Sequence, residues 1–444
     1  MNEIKIEKYS SYRDSGVEWS GLVPENWGAL PIRAIFEERN EKNEGRKTEY
    51  ILSVTKDRGV IPYDEKGAIG NNKSEDIERY KLVYPNDFVI NKMNVVIGSL
   101  GMSKYFGAFS QVYLVYKPRT SQININYYSY IFSNPSFYKS LIKYCTGIME
   151  LRESLNKDDF KKLILPFPDY QTQTAVVEYL DRKTALIDQA VDIKQKQIEL
   201  LKERRQILIH KAVTKGLNAG AKLKDSGVEW IGQIPEGWEL KRLKEFCKAF
   251  GRIGFRGYTT SDLVSEGEGA ITISPSNIKG EFMTFEKCSY LSWNKYRQSP
   301  EIQIFEDDIL MVKTGSTFGK TGIVKNPPQE ATVNPQLIVL KEIKINSDYF
   351  YNLLKTSMVQ YQVQTEVIGS TIPTISETKI LNFKVAMPQK SEMEEILKYI
   401  ENATAKIATA ISLKEQEIEK LKEYKATLIN SAVTGKIKIS NYAK

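Results

Sequence analysis

Few residues in this 444-residue chain have the types and spacing that enzymatic chemistry needs. The strongest candidate is GSTFGKT at Gly315–Thr321, which resembles the loop that holds nucleotide phosphates. That loop needs four residues between its two glycines, whereas this segment has three, and no helix signal follows Thr321. Backbone amides would then not converge on a phosphate. We therefore interpret the segment as a β-hairpin turn.

A second candidate is Asn-Pro-Pro-Gln at Asn326–Gln329, which is similar to the Asn-Pro-Pro-aromatic loop of adenine methyltransferases. That loop needs an aromatic residue to stack the extruded base, and Gln329 occupies its place. The chain also offers no convincing glycine-rich cofactor loop. We interpret the segment as a proline turn after a strand, with a self-contained methyltransferase kept as a minor hypothesis.

The composition disfavours metal and hydrolytic chemistry. The chain has one histidine, His210, and three cysteines with no Cys-x-x-Cys spacing, so neither a zinc site nor a Ser/His/Asp arrangement is expected. The scarcity of cysteine favours a reducing cytoplasm. Neither an apolar N-terminal region nor a run of 18 apolar residues occurs, so we expect no signal peptide and no membrane span.

The charge and the length suggest a multidomain protein with a nucleic-acid partner. The chain carries 63 Lys and Arg against 55 Asp and Glu, a net charge of +8. That excess suits nucleic acid without requiring it. With 41% hydrophobic residues, a chain of this length is expected to form two or more domains with sizeable cores.

The chain contains an internal repeat. The sequence DSGVEW occurs at Asp14–Trp19 and again at Asp225–Trp230. Asp-Ser-Gly is typical of a turn. The proline and tryptophans that follow predict an extended segment that anchors the start of a domain, and the corresponding residues are Pro24 and Pro235, and Trp27 and Trp238. We interpret this motif as packing without chemistry.

A second repeat predicts two long helices, which begin near Glu178 and Lys398, each after a proline. Apolar residues recur with alternating spacings of four and three, which is typical of a heptad seam. The apolar seam residues are Leu180, Ile187, Val191, Ile198, Leu201 and Leu208, then Ile400, Ile407, Ile411, Ile418, Leu421 and Leu428. Polar residues interrupt both seams at the same steps, which favours a shared pair over two unrelated amphipathic helices.

The chain order is therefore domain, helix, domain, helix. The first seam spans roughly 50 Å at about 1.5 Å per residue, and a second helix sharing it must run back antiparallel. We expect an α+β fold with two similar globular domains separated by an antiparallel coiled coil with pseudo-two-fold symmetry. The predicted domains are residues 1–168 and 217–388, and the predicted spacer helices are 169–216 and 389–437.

The two domains share a series of predicted structural elements, which we call the frame, and differ in the loops between them. An acidic turn, a strand and a glycine- and serine-rich hairpin begin at Tyr84 in the first domain and at Phe305 in the second. The segments that precede this element are unlike. This combination predicts one scaffold directed at two different targets.

The paired DSGVEW segments, the paired helices after Pro168 and Pro388 and their Ala-Val-Thr endings together resemble the specificity (S) subunit of type I restriction–modification systems. The resemblance covers almost the whole chain. It implies two target recognition domains that each read one part of a split DNA sequence, held by the helix pair. The hairpin Asn91–Gly101 lacks the Lys-Thr-Gly-Ser of the second copy, so contacts do not transfer residue for residue between halves.

The resemblance also implies partners. These are double-stranded DNA, two modification subunits that carry S-adenosylmethionine and methylate adenine, and restriction subunits with motor and nuclease activity. No cofactor and no active site are implied in this chain itself. The outward helix residues Tyr179, Leu200, Tyr399 and Tyr424 could meet helices of the modification subunits or pack on the chain's own domains.

The candidate DNA contacts are basic and polar loop residues. Arg and Lys match guanine in the major groove and Asn and Gln match adenine, while other basic residues hold phosphates. Arg252 and Arg256 lead because GRIGFRGYTT interleaves basic, aromatic and glycine residues. The full set is Arg46, Lys56, Arg58, Lys92 and Lys104, with Arg252, Arg256, Lys313, Ser316 and Lys320. The alternative for each is a solvated loop charge.

The leading hypothesis for the function is a non-catalytic DNA-recognition subunit. Two domains on such a helix pair could address DNA sites about one helical turn apart, roughly 34–36 Å. The alternative is a bivalent coiled-coil scaffold that joins two proteins without DNA.

Overall fold

The structure, a computed structural model, describes residues 7–56, 58–67, 76–146, 154–252, 257–279, 282–365 and 374–439. The chain divides into two compact units. Unit 1 consists of Met1–Lys196 with Lys414–Lys444, and unit 2 consists of Gln197–Leu413. Each unit contains a domain of strands and short helices together with part of each of two long helices. The expected two-domain α+β fold is confirmed.

Unit 1 is organised around an antiparallel sheet. Its strands, within the residues described, are β1 (Tyr12–Asp14), β2 (Leu22–Pro24), β3 (Gly28–Pro31), β4 (Phe36–Glu38), β5 (Leu52–Thr55), β6 (Gly59–Pro62), β7 (Lys81–Val83), β8 (Phe88–Asn91), β9 (Leu100–Met102), β10 (Gly107–Phe109), β11 (Tyr113–Pro118), β12 (Cys145–Thr146), β13 (Ser154–Leu155) and β14 (Ile164–Phe167). The central sheet has the order β4–β11–β8–β9.

The helices of unit 1 cover this sheet and continue into the first long helix. They are α1 (Ile32–Ile35), α2 (Ile125–Ser133), α3 (Pro135–Ser140), α4 (Lys157–Lys162) and α5 (Tyr170–Lys215). Side-chain oxygens of Asn124, Asn134 and Asn156 cap the N-termini of α2, α3 and α4, which fixes where these short helices begin.

Unit 2 repeats the frame. Its strands are β15 (Leu223–Asp225), β16 (Gln233–Pro235), β17 (Glu239–Arg242), β18 (Lys248–Gly251), β19 (Leu263–Val264), β20 (Gly269–Ile273), β21 (Ile278–Lys279), β22 (Phe282–Met283), β23 (Ser289–Ser292), β24 (Gln303–Ile304), β25 (Ile309–Val312), β26 (Thr321–Ile323), β27 (Ala331–Val333), β28 (Leu337–Lys341) and β29 (Lys384–Met387). Its helices are α6 (Trp293–Arg297), α7 (Ser347–Leu354), α8 (Ser357–Thr365), α9 (Glu377–Leu381) and α10 (Lys390–Val433).

The two units share one sheet pattern and differ in what they add to it. The sheet β18–β28–β25–β26 of unit 2 repeats the order β4–β11–β8–β9, and the pair β17–β29 repeats β3–β14. Unit 2 also has a five-stranded sheet, β19–β23–β20–β27–β24, in which β20 and β27 are parallel. Unit 1 has the two-stranded sheets β5–β6 and β7–β10 instead. One frame therefore carries two different sets of loops.

The long helices lie side by side within each unit, and the contacts in unit 1 show that they are antiparallel there. In unit 1, Lys425 Nζ lies 2.7 Å from Asp188 Oδ1, and Lys194 Nζ lies 2.5 Å from Glu417 Oε2, so the contacts advance along one helix as they retreat along the other. In unit 2, Leu208 lies beside Ile400 and Ile407. In unit 1, the polar seam residues Lys194 and Lys425 therefore form ion pairs with acidic residues of the other helix.

The predicted seam residues face away from solvent to different degrees. Seven are buried, namely Leu180, Ile187, Ile198, Ile400, Ile407, Ile418 and Leu428. Five are half-buried, namely Val191, Leu201, Leu208, Ile411 and Leu421. In unit 1, Leu180, Ile187 and Leu428 join the same hydrophobic core as the aromatic residues of α2 and α3. Burial of this apolar surface attaches each helix segment to its domain.

The repeated motif forms the same turn in both units. Asp14 Oδ1 accepts a hydrogen bond from the Gly16 amide at 2.9 Å, and Asp225 Oδ1 accepts one from the Gly227 amide at 2.9 Å. The tryptophan at the end of DSGVEW differs between the copies. Trp19 is buried edge-on against Phe137, whereas Trp230 is exposed and stacks on Tyr361.

The glycine after α10 provides a sharp test of this packing. Gly435 has a φ of +70°, and a Cβ there would lie 2.4 Å from the Pro24 ring and 3.1 Å from Trp27. Gly435→Ala combines left-handed strain with a clash, so we expect it to lower the free energy of unfolding by about 2–4 kcal/mol. Chemical denaturation of the full chain measures the change.

Gly16→Ala is the matched control, because Gly16 has a φ of +72° and open space around its Cβ position. We expect it to lower the free energy of unfolding by about 1 kcal/mol, from strain alone. Equal effects of the two substitutions would show that the contact with Pro24 and Trp27 contributes nothing.

Candidate nucleic-acid interface

Three of the five contacts predicted in the first domain line one open cleft. Lys56 and Arg58 lie on the turn between β5 and β6, and Lys104 follows β9. Together with Tyr105 and Tyr138 they line a cleft of about 540 Å³. The three cations are exposed, so their charges face solvent across a single depression. This arrangement can accept a phosphate backbone and present aromatic edges beside it.

Arg58 is held in place without being removed from solvent. Its guanidinium forms an ion pair with the Glu65 carboxylate and donates to the Glu65 carbonyl oxygen at 3.0 Å. Both side chains are about half exposed, at 53% and 51%, so the ion pair adds little stability. Arg58 lines the cleft while it makes these two contacts.

Arg46 and Lys92 do not line this cleft. Arg46 is exposed in a turn, where its amide donates to the Asn43 carbonyl oxygen at 3.0 Å. Lys92 is half-buried at the end of β8, and its carbonyl oxygen accepts from the Leu155 amide. The structure therefore divides the five predicted residues of unit 1 into a group of three and two separate positions.

A lysine cluster that the sequence analysis missed surrounds Glu38 at the end of β4. Lys157 Nζ and Lys161 Nζ lie 2.6 and 3.2 Å from Glu38 Oε2, and Lys81 Nζ lies 3.8 Å from Oε1. Burial disfavours the charged carboxylate, but hydrogen bonds from Lys157 and Lys161 outweigh it and hold the pKa of Glu38 below its usual value. The four-residue spacing of Lys157 and Lys161 on one helix was the available signal.

In unit 2, three predicted residues lie on the hairpin between β25 and β26. Ser316 is exposed and Lys320 is half-buried. Lys313 Nζ lies 3.2 Å from Glu377 Oε1, and the lysine side chain is only 15% exposed. The hairpin confirms the interpretation of GSTFGKT as a turn rather than a nucleotide loop, since it joins two antiparallel strands.

The structure corrects the expectation that Arg252 is an exposed loop residue. Arg252 is 4% exposed, its Nε donates to the Val333 carbonyl oxygen at 3.2 Å, and its Nη2 donates to Thr332 Oγ1 at 3.2 Å. Its guanidinium also lies over the Tyr258 ring, 5.2 Å from the centroid. Burial lowers the pKa of Arg252. The side chain therefore fastens the end of β18 to β27, while Arg256 lies outside the described residues.

The edge of unit 2 where β18, β25 and β27 end also gathers amide side chains that the sequence analysis did not single out. Asn334 and Gln336 lie in the turn between β27 and β28, and the Lys313 amide donates to the Gln336 carbonyl oxygen at 2.8 Å. The Asn-Pro-Gln sequence between two apolar strands was the available signal for an exposed turn.

The described residues bring together no group of three His, Cys, Asp and Glu side chains that could hold a metal. His210 Nε2 lies 3.1 Å from Ser357 Oγ in unit 2. The Asn-Pro-Pro-Gln segment forms a turn after β26, in which Gln329 Nε2 donates to the Gly269 carbonyl oxygen at 3.1 Å. Across the parts of the chain that the structure describes, no helix is both long and apolar enough to span a membrane.

Comparison with known proteins shows the family to which the chain belongs. Residues 24–203 and 235–423 each match the family model for the type I restriction modification DNA specificity domain. The chain belongs to this family, and the two matches coincide with the two repeats of the frame. It is accordingly a DNA-recognising specificity subunit of a type I restriction–modification system, and not a catalytic subunit.

Named relatives carry the same description. The chain is 23% identical over 432 residues to the type I restriction enzyme MjaX specificity subunit of Methanocaldococcus jannaschii, covering 94% of this chain and 95% of the relative. It is 27% identical over 314 residues to the MjaVIII specificity subunit of the same organism, covering 69% and 68%. The comparisons therefore confirm the family resemblance inferred from the repeats.

One solved structure shares the fold. A chain from work on the complex assembly and conformational transition of the type I R-M system is 12% identical, with a TM-score of 0.61 and coverage of 93% of this chain and 98% of that one. The HsdS subunit from Thermoanaerobacter tengcongensis is 11% identical, with a TM-score of 0.49 and the same coverage.

Proposed function

We propose that this specificity subunit reads a two-part, asymmetric DNA sequence, with one domain addressing each part. The observation that carries the proposal is the repetition of one sheet, β4–β11–β8–β9 and β18–β28–β25–β26, with unlike loops at its edges. A repeated frame places two readers in one chain. Unlike loops give the two readers different targets.

In this proposal the basic residues divide by role. Lys56, Arg58 and Lys104 hold phosphates along the cleft of unit 1, because three exposed cations in one depression match a backbone rather than a single base edge. Lys320 and Ser316 on the hairpin of unit 2 contact the second half of the target. Arg252 acts as a positioning residue from inside the domain.

We further propose that the catalytic work belongs to partner proteins. Modification subunits bind S-adenosylmethionine and methylate adenine, two of them assemble with this chain, and restriction subunits supply motor and nuclease activity. The complex works in the cytoplasm. The chain itself holds no cofactor.

The outward surface of α5 supports a helical partner. In unit 1, Leu186 and Ile193 are 55% and 57% exposed, and in unit 2, Leu200 and Ile207 are 64% and 57% exposed. Residues seven apart lie on one side of a helix, so each segment presents an apolar seam outside the one already filled. Tyr399 and Tyr424 are also exposed, whereas Tyr179 is half-buried. We assign these surfaces to helices of the modification subunits.

Salt dependence of duplex binding tests the proposal against a scaffold that joins proteins without DNA. The logarithm of affinity is expected to fall linearly with the logarithm of salt concentration, with a slope of about −0.9 for each phosphate neutralised. Lys56→Ala and Lys104→Ala should each weaken binding to all duplexes alike and reduce the slope by about 1. Fluorescence anisotropy of the full chain with labelled duplexes measures both.

Lys248→Ala is the matched control, because Lys248 is an exposed lysine of unit 2 that pairs with Glu342 and is not among the residues that line the cleft. The duplex affinity of this variant and the slope of its salt dependence should stay at the wild-type values. Absence of duplex binding at low salt by the wild-type chain, alone and with co-expressed modification subunits, would favour the scaffold.

A further inference from the structure

The turn that leads into β28 is fixed by both backbone and side chain. The Leu337 amide donates to the Asn334 carbonyl oxygen at 3.2 Å, which closes a β-turn with asparagine at its first position and Pro335 at its second. Both residue types are favoured there. Asn334 Oδ1 also accepts from the Gln336 amide at 3.0 Å. The turn is therefore a rigid support for the side chain of Gln336.

The side-chain amide of Gln336 is exposed and yet oriented. Asn334 Nδ2 donates to Gln336 Oε1 at 3.2 Å. The Gln336 carbonyl oxygen accepts from the Lys313 amide, which ties the turn to the hairpin that carries Ser316 and Lys320. A Cβ at Gly315 would lie 3.5 Å from Gln336 Nε2, so the hairpin glycine passes close beside the amide. An oriented surface amide loses less conformational entropy on binding than a free one.

A glutamine amide matches the major-groove edge of adenine, since it can donate to N7 and accept from the N6 amino group. Its oxygen has two lone pairs, so the bond from Asn334 leaves one acceptor site open. We propose that Gln336 reads an adenine in the part of the target addressed by the second domain, and that Asn334 is its positioning residue. This inference rests on the proposed function, because it supposes that this edge faces DNA.

The first domain differs at the corresponding place. Asn91 pairs with Tyr113 in unit 1 as Val312 pairs with Leu337 in unit 2, which puts Val112 at the position of Gln336. Val112 is 49% exposed and has no side-chain hydrogen-bonding group. An apolar side chain can contact the thymine methyl group but cannot reproduce a bidentate contact to adenine. The first domain therefore cannot make the proposed adenine contact from this position.

The experiment compares wild type and Gln336→Ala in the full-length chain, after mapping of modified adenines in the host genome has defined both parts of the target. Anisotropy is measured with the cognate duplex and with duplexes substituted at one base pair at a time. Gln336→Ala should weaken cognate binding by about 5- to 150-fold. It should abolish discrimination at one A·T pair in one part of the target and keep discrimination elsewhere.

Two further variants distinguish base recognition by Gln336 from a general structural effect of substitution. Gln298→Ala removes another exposed glutamine of unit 2, at the end of α6, and should change nothing. Asn334→Ser provides a hydroxyl that can accept from the Gln336 backbone amide and removes the side-chain amide that donates to Gln336 Oε1, so it should weaken discrimination at the same base pair only. Retention of wild-type discrimination at every position by Gln336→Ala, or a uniform loss at all positions, overturns the inference.

The outcome also distinguishes this inference from the proposed function. A wild-type chain that binds all substituted duplexes equally would refute the proposed function itself. A wild-type chain that discriminates, with Gln336→Ala discriminating in the same way, would refute only the role of Gln336.

Discussion

Replacement of Trp238 with alanine is expected to lower the free energy of unfolding of unit 2 by about 3–5 kcal/mol. Trp238 is 1% exposed within the core formed by α7, α8 and the start of α10, and its Nε1 donates to Glu392 Oε2 at 3.0 Å. The substitution opens a large cavity and removes the hydrogen-bond donor of that carboxylate. Both effects act in the folded state, so the loss should appear in chemical denaturation followed by circular dichroism.

Trp230→Ala is the control for this prediction. Trp230 belongs to the same repeated segment, but it is 40% exposed and stacks on the exposed Tyr361 ring with centroids 5.7 Å apart. Its removal should change the free energy of unfolding by less than about 1 kcal/mol. Because the chain has two units, unfolding is measured by calorimetry as well, which resolves separate transitions. Comparable losses in the two variants would contradict the assignment of Trp238 as the anchor.

The architecture that the two units share could be predicted because its segments repeat in the amino-acid sequence. The DSGVEW segments form the same turn in both units, with Asp14 and Asp225 accepting from the glycine amides. Periodicity likewise predicted the seam, since a spacing of four and three reports which helix face is apolar. The different burial of Trp19 and Trp230 was not predictable, because it depends on whether Phe137 or Tyr361 lies opposite.

Individual candidate contact residues could be predicted from the sequence, but which of them lie close together in space could not. Lys56, Arg58 and Lys104 come from two separate loops, and only the fold brings them to one cleft. The burial of Arg252 was not predicted, because a basic residue in a glycine-rich segment suggests a loop, whereas its partners Thr332 and Val333 lie some 80 positions further on. Long-range hydrogen bonds of this kind leave no local pattern.

The acidic turn shared by the two domains holds a buried carboxylate in each. In unit 1, Asp87 accepts from Arg39 Nε at 2.7 Å and from Arg39 Nη2 at 3.1 Å, and also from the Tyr84 amide at 2.9 Å. In unit 2, Asp308 lies 3.0 Å from Lys341 Nζ. The aspartate occupies the same place in both turns, but its cation comes from a different strand. Each pair therefore forms one buried ionic contact within its unit.

Arg39→Ala is expected to lower the free energy of unfolding by about 3–5 kcal/mol at neutral pH, because it leaves a charged carboxylate buried without its cation. The Asp87 side chain is 2% exposed, so its carboxylate is largely removed from water in the folded chain. Arg58→Ala is the control, since it breaks an ion pair of unit 1 whose two members are half exposed. That variant should unfold within experimental error of the wild type.

The loss in Arg39→Ala should depend on pH in a defined direction. Burial raises the pKa of Asp87 above its usual value even in the presence of Arg39, and removal of the cation raises it further. A carboxyl group with a raised pKa in the folded state binds its proton more readily there than in the unfolded chain. Its contribution to stability is therefore present at low pH and is lost as the pH rises through the folded pKa. The difference between wild type and Arg39→Ala should accordingly shrink on acidification from pH 7.5 toward pH 5, and a difference that grows would contradict a buried, unpaired Asp87.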